Sequence, residues 1–155
     1  MDILKGSSDA MLEQIVFSDI EKALVDYLTS KLSALSDNAK VVARVPDPRP
    51  VRMVRVIRND RKARFDAEDR EGRRGAHLIL DRPRVVFECT DDGGGAAGLA
   101  SLVRSFVNSA APGYIGSVWC DHVEDAGQEN DTDPVTAAPR YSIVADLIVR
   151  GKILA

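Results

Sequence analysis

The chain has 155 residues, 45% hydrophobic and 29% charged, with a formal net charge of −3. That is the size of one domain with enough apolar content for a single core, which excludes a disordered or fibrous protein. No uncharged apolar run approaches the about 18 residues of a membrane span, no basic stretch leads an apolar one at the N-terminus, and two cysteines cannot make a disulfide framework, so a cytoplasmic protein without a signal peptide is expected.

Residues 1–16 carry no sustained period and read as an N-terminal arm ahead of one domain over 17–155. Phe17 to Leu35 is an amphipathic helix, with Ser18 as N-cap, Glu21 completing a capping box, and Ile20, Ala23, Leu24, Tyr27, Leu28, Leu32 and Leu35 on one face. Ser36-Asp37-Asn38 ends it. Val41 to Val45 reads as a short strand, closed by Pro46-Asp47-Pro48-Arg49-Pro50. Val51 to Arg58 is a longer strand whose arginines fall on both faces, so at least part of it belongs at a sheet edge or an interface. Asn59 to Ala76 is dense in charge and poor in large apolar residues, and reads as a mobile loop (about 59–76).

His77 to Leu80 reads as a short strand, and Asp81-Arg82-Pro83 as a turn. Arg84 to Thr90 is a strand with Val85, Phe87 and Cys89 on one face. Asp91-Asp92-Gly93-Gly94-Gly95 joins it to a second helix, Ala96 to Ala110, with Leu99, Leu102, Val103, Phe106 and Val107 on one side and Pro112-Gly113 as its stop. Tyr114 to Val123 is a strand, Asp125 to Ala138 an acidic mobile loop (about 125–138), and Arg140 to Arg150 the last strand, with Tyr141, Ile143, Ala145, Leu147 and Val149 facing one way. The expected class is α+β, a mixed, mostly antiparallel sheet with two helices packed on one face, because each helix has a single apolar stripe to bury.

Catalytic patterns are weak. Cys120 and His122 alternate onto one strand face and, with Cys89 and His77, outline a conceivable metal site, but no Cys-x-x-Cys or paired His spacing supports zinc. The glycines after Asp91 and Asp92 precede a helix, yet those carboxylates repel phosphate and neither a Walker nor a GxGxxG pattern is present. Neither histidine sits in a nucleophile motif, and the carboxylate pairs Asp91/Asp92 and Asp131/Asp133 lie in loops. No catalytic residue, metal or cofactor is therefore assigned, and an enzyme is not expected.

Charge carries more information. Arg44 to Arg84 holds 13 basic and 7 acidic residues, the rest of the chain 8 and 17. The candidate basic surface comprises Arg52, Arg55, Arg58, Arg61, Lys62, Arg64, Arg73 and Arg74; its natural complement is the acidic stretch Asp121, Glu124, Asp125, Glu129, Asp131 and Asp133. Both on one protomer suit a head-to-tail contact that closes into a ring. The rival reading is a nucleic-acid-binding module built on 52–74. Only one aromatic, Phe65, is interleaved there for base stacking, and an overall pI near 5.4 argues against it.

The order of segments resembles a family. Phe17-Ser-Asp-Ile-Glu-Lys-Ala-Leu-Val-Asp-Tyr-Leu leads into Val-Val-Ala-Arg-Val-Pro and Pro-Arg-Pro-Val-Arg-Met-Val-Arg-Val. Then come Asp81-Arg-Pro-Arg-Val-Val-Phe-Glu-Cys, the small-residue helix Ala-Ala-Gly-Leu-Ala-Ser-Leu-Val-Arg, and Pro139-Arg-Tyr-Ser-Ile-Val-Ala-Asp-Leu-Ile-Val-Arg-Gly. Together, roughly from Phe17 to Gly151, they are similar to the tail terminator (minor tail, tail-completion) proteins of long-tailed actinobacteriophages. The 15 Arg against 6 Lys fit a GC-rich genome of that kind. The resemblance implies a small α/β protomer in a hexameric ring, its basic strand and loop facing either a neighbouring protomer or the lumen, and a structural virion protein at the head-proximal end of the tail, assembled in the host cytoplasm. Its implied partners are further copies of itself, the tail tube protein, the head–tail connector or neck protein, and DNA passing through the lumen without sequence readout; no membrane is involved. A head-to-tail neck protein is the neighbouring alternative.

Overall fold

The computed structural model describes residues 15–60, 80–132, 134–135 and 137–153. In chain order the elements are β1 (Ile15–Val16), α1 (Ile20–Ala34), β2 (Lys40–Val42), β3 (Arg52–Arg58), β4 (Leu80–Asp81), β5 (Arg84–Asp91), α2 (Ala96–Asn108), β6 (Gly113–Ile115), β7 (Val118–Asn130), β8 (Arg140–Arg150) and β9 (Lys152–Ile153). The main sheet runs β2-β3-β5-β8-β7-β6, with β4 also pairing β8; β2–β3 is parallel and the other pairs antiparallel. The class is α+β, as the two apolar helix stripes require.

Both helices cover the sheet face that carries Val54 and Val56 of β3, Val85, Phe87 and Cys89 of β5, and Ile143, Ala145 and Leu147 of β8. Leu24, Leu28 and Leu32 of α1 and Leu99, Val103 and Val107 of α2 close the core from above. Each fully buried aliphatic or aromatic side chain contributes about 1.5–3 kcal/mol through removal from water. The Tyr27 hydroxyl donates to the Phe106 carbonyl at 3.0 Å and ties the helices together.

Several boundaries differ from expectation. The N-cap of α1 is Asp19, not Ser18: its carboxylate accepts from the Lys22 amide at 3.2 Å. Glu21 does not close a capping box. Its carboxylate instead accepts from the Arg58 amide at 2.7 Å, on the stretch of β3 that β2 has ceased to pair beyond Arg55. The edge character expected of Val51 to Arg58 therefore applies to its ends, while Met53 to Arg55 lie between two strands. The helix ends at Ala34 with Ser36 in the left-handed region at φ 57, and the Ser36 and Asp37 amides donate back to Ser33 and Leu32. Leu35, expected on the buried face, is exposed at this cap. β2 stops at Val42, where the chain bends ahead of the proline run.

The expected Tyr114 to Val123 strand is a hairpin, β6 and β7 joined at Gly116–Ser117, with Gly116 at φ +62. The acidic segment is the larger correction. Residues 125–130, expected in a mobile loop, continue β7 against β8, and the connection shrinks to 131–139. A bulge between Asp125 and Gly127, with Gly127 at φ +118 and its amide held by the Asp125 carboxylate at 2.9 Å, carries the strand on. At the other end of the chain, β9 pairs β1, so residues 15–16 of the expected arm are strand. The remainder of that arm, most of the 59–76 loop and His77 lie outside the described residues.

Candidate functional site

No described helix covers the second face of the sheet, and cross-strand register orders its side chains in rows. Met53, Thr90 and Arg140 form one row; Arg55, Glu88, Ser142 and Glu129 the next; Ile57, Val86 and Val144 a third; Arg84, Asp146 and Glu124 a fourth. An aliphatic row thus sits between two charged ones. Its three side chains are partly buried, as are those of Arg55, Glu88, Arg84 and Asp146.

The arginines of β3 divide between the two faces. Arg52 and Arg58 bracket Val54 and Val56 on the helix side. Arg52 Nε and Nη2 donate to the Asp37 carboxylate at 2.9 and 2.7 Å, while Nη1 donates to Asp91 Oδ2 at 2.8 Å and to the Gly95 carbonyl at 3.2 Å. One guanidinium therefore joins the end of α1, the end of β5 and the start of α2. Hydrogen bonds from Arg52 hold both carboxyl groups below their ordinary range. At the other end of β3, Arg58 forks onto Asp60 and Asp81 at 2.6–3.1 Å. Burial opposes the charge on Arg58, but these two carboxylates outweigh it and raise its proton affinity. Arg55 points to the other face, where Glu88 is 3.8 Å away. Arg61, Lys62, Arg64, Arg73 and Arg74 lie outside the described residues.

The acidic stretch is likewise bound up within the protomer. Asp121 accepts from Arg150 Nε at 3.1 Å and from Trp119 Nε1 at 2.8 Å, and the Arg150 bond lowers its pKa. Asp125 accepts from Arg104 and Asn108 of α2 at 2.7 and 3.0 Å. Burial works against that carboxylate's charge, yet these donors bring its pKa below the ordinary value. The Asp131 carbonyl accepts from Arg140 Nε at 3.1 Å, and its carboxylate lies 3.2 Å from the same Nε and accepts from the Ser142 hydroxyl at 3.2 Å. Glu124 and Glu129 are exposed on β7, and Asp133 is outside the described residues. Among the described residues, the expected basic set pairs with Asp37, Asp60, Asp81, Asp91 and Glu88, and the expected acidic set with Arg104, Arg140 and Arg150, rather than with one another. The partners the sequence reading missed are Asp37, Asp60, Asp81 and Asp91 on one side and Arg104, Arg140 and Arg150 on the other. The signal was faint: Asp91 ends a strand opposite Arg52, a register visible only once β3 and β5 are paired.

Cys120 and His122 do not share a face. The bulge between them leaves Cys120 buried opposite Val149 and turns His122 outward opposite Ile148. Among the described residues, no three His, Cys, Asp or Glu side chains converge on a metal-sized site. Burial pushes the Cys89 thiol up to about 12 and raises that of Cys120 too, so neither is a thiolate near neutral pH. Among the described residues, no helix is long and apolar enough to cross a membrane.

No protein-family model matches the chain, and no curated protein matches it.

Proposed function

We propose that this protein is a structural component of a long-tailed phage virion, a tail terminator whose protomers close into a hexameric ring. The ring caps the tail tube at its head-proximal end, stops tube polymerisation and offers a surface to the head–tail connector or neck protein; DNA passes through the lumen. The protein works through surfaces, with no catalytic residue, metal or cofactor assigned. The observation that carries the reading is the sheet face that neither described helix covers, where the aliphatic row Ile57, Val86 and Val144 lies between two rows of charge. Such a face gives a head-to-tail contact both apolar area and register, and a heterologous contact closes when its rotation divides a circle. The resemblance over Phe17 to Gly151 supplies the tail; the α+β protomer with both helices on one side agrees with what that family implies.

Substitution of the central aliphatic side chain tests it. Val144→Asp buries a carboxylate in the proposed contact while leaving the helix-side core untouched. Light scattering after size exclusion is expected to show a ring for the native chain and a folded monomer for the variant. A variant that assembles like the native chain overturns this choice of contact.

A further inference from the structure

One end of the sheet face that neither described helix covers sinks into a cleft of about 250 Å³, lined by Val45, Arg49, Met53, Arg55, Glu88, Thr90, Ala138 and Arg140. Three guanidinium groups and one carboxylate share that lining. Two features set it apart from the other charged clusters. The first is the state of its arginines. Arg52, Arg58, Arg84, Arg104 and Arg150 hold a carboxylate at 2.6–3.0 Å, whereas the nearest ion-pair oxygens of Arg49 and Arg55 lie at 3.7 and 3.8 Å, on Asp92 and Glu88. Those two guanidinium groups therefore keep unspent donors, while Arg140 is engaged by Asp131 through Nε.

The second is what lies on the cleft's floor. The Thr90 hydroxyl and Arg55 Nε are buried with no hydrogen-bond partner among the described residues, and Thr90 is only 6% exposed. A buried polar group without a partner costs free energy, and native structures rarely keep two such atoms in one cleft without a use. Thr90 and Arg55 are diagonal neighbours across the β3–β5 ladder, so a single oxygen-rich group can satisfy both.

We propose that this cleft binds a small oxyanion, a phosphate or carboxylate group, held by Arg49, Arg55 and Arg140 above the Thr90 hydroxyl. Planar guanidinium donors match either anion in a two-point geometry, and the apolar rim of Val45, Met53 and Ala138 leaves room for a short hydrocarbon body. Glu88 opposes the anion and sets the affinity. The cleft shares Arg55 and Glu88 with the charged row beside the proposed ring contact, so its occupancy is read on the monomeric variant as well as on the native chain.

The test is a titration of the full chain with inorganic phosphate, and separately with acetate, followed by amide shifts in two-dimensional NMR at ionic strength held constant with chloride. Saturable shifts at Met53, Thr90 and Arg140 with either anion are expected, and whichever saturates identifies the group as tetrahedral or planar. Arg55→Gln is expected to weaken binding by about tenfold or more, the scale of one charge-assisted hydrogen bond. Glu88→Gln, which keeps the side chain's shape, is expected to tighten it. The Val144→Asp monomer is expected to bind as the native chain does, so that failure of the ring and failure of the cleft are read separately. Shifts that follow total salt, no saturation with either anion at millimolar concentrations, or an unchanged affinity in Arg55→Gln would overturn the site.

Discussion

Replacing Arg52 with methionine removes one side chain that three segments share. Its guanidinium makes four hydrogen bonds, three to the carboxylates of Asp37 and Asp91 and one to the Gly95 carbonyl. The side chains of Arg52, Asp37 and Asp91 are 18%, 13% and 12% exposed, so methionine leaves two largely buried carboxylates without their counter-ion. Breaking a buried pair costs about 3–5 kcal/mol, and the residual solvent contact here selects the lower end, about 3 kcal/mol. For a chain of this size that corresponds to a melting temperature lower by roughly 6–12 °C. The sign of the pH dependence follows from the depressed carboxyls: their contribution is fully present above the ordinary value of 3.8 and is lost as pH falls below it through the folded values. Methionine has no such contribution to lose, so the native and variant curves should converge below that value. Urea unfolding from about pH 7 to about pH 3 measures both effects, and adding Asp37→Asn with Asp91→Asn to Arg52→Met should restore part of the loss. A loss under about 1 kcal/mol near neutrality, or one of equal size across the whole pH range, refutes the reasoning.

Other substitutions examine neighbouring claims. Asp19→Ala should cost about 1 kcal/mol by denaturant unfolding, whereas Ser18→Ala should leave stability within about 0.5 kcal/mol, because only Asp19 caps the helix. Gly95→Ala places a methyl 2.6 Å from Asp91 Oδ2 and 3.0 Å from Arg52 Nη1; it should cost about 1–3 kcal/mol and combine less than additively with Arg52→Met. Cys89 should resist an aromatic disulfide reagent in the native state and react at once in denaturant, since burial suppresses both its access and its thiolate.

Periodicity made the core legible and left the charged contacts obscure. The spacing of Ile20, Ala23, Leu24, Leu28 and Leu32, and the alternation of Val85, Phe87 and Cys89 and of Ile143, Ala145 and Leu147, record burial on one side, and those residues form the core. Arg140–Arg150 agrees to the residue for the same reason. β7 is not legible past Val123 because its outer half is mainly exposed and polar, so alternation carries no signal there, and Gly127 reads as a breaker although it serves a bulge. Glu21 reads as half of a capping box because local spacing cannot reveal that an open strand edge lies within its reach. Charge position is hidden in the sequence for a related reason. A run such as Arg52, Arg55 and Arg58 looks like one surface in sequence, but a strand sends it to two faces, and each side chain then answers to carboxylates about 15–40 positions away or just beyond the strand.

The ring itself is the claim most open to direct measurement. Light scattering on the size-exclusion peak, with negative-stain images of the same fraction, should give a mass six times the 16.9 kDa protomer and closed rings with an open centre. A single protomer mass at every concentration and salt level, with no rings in the images, would contradict the account.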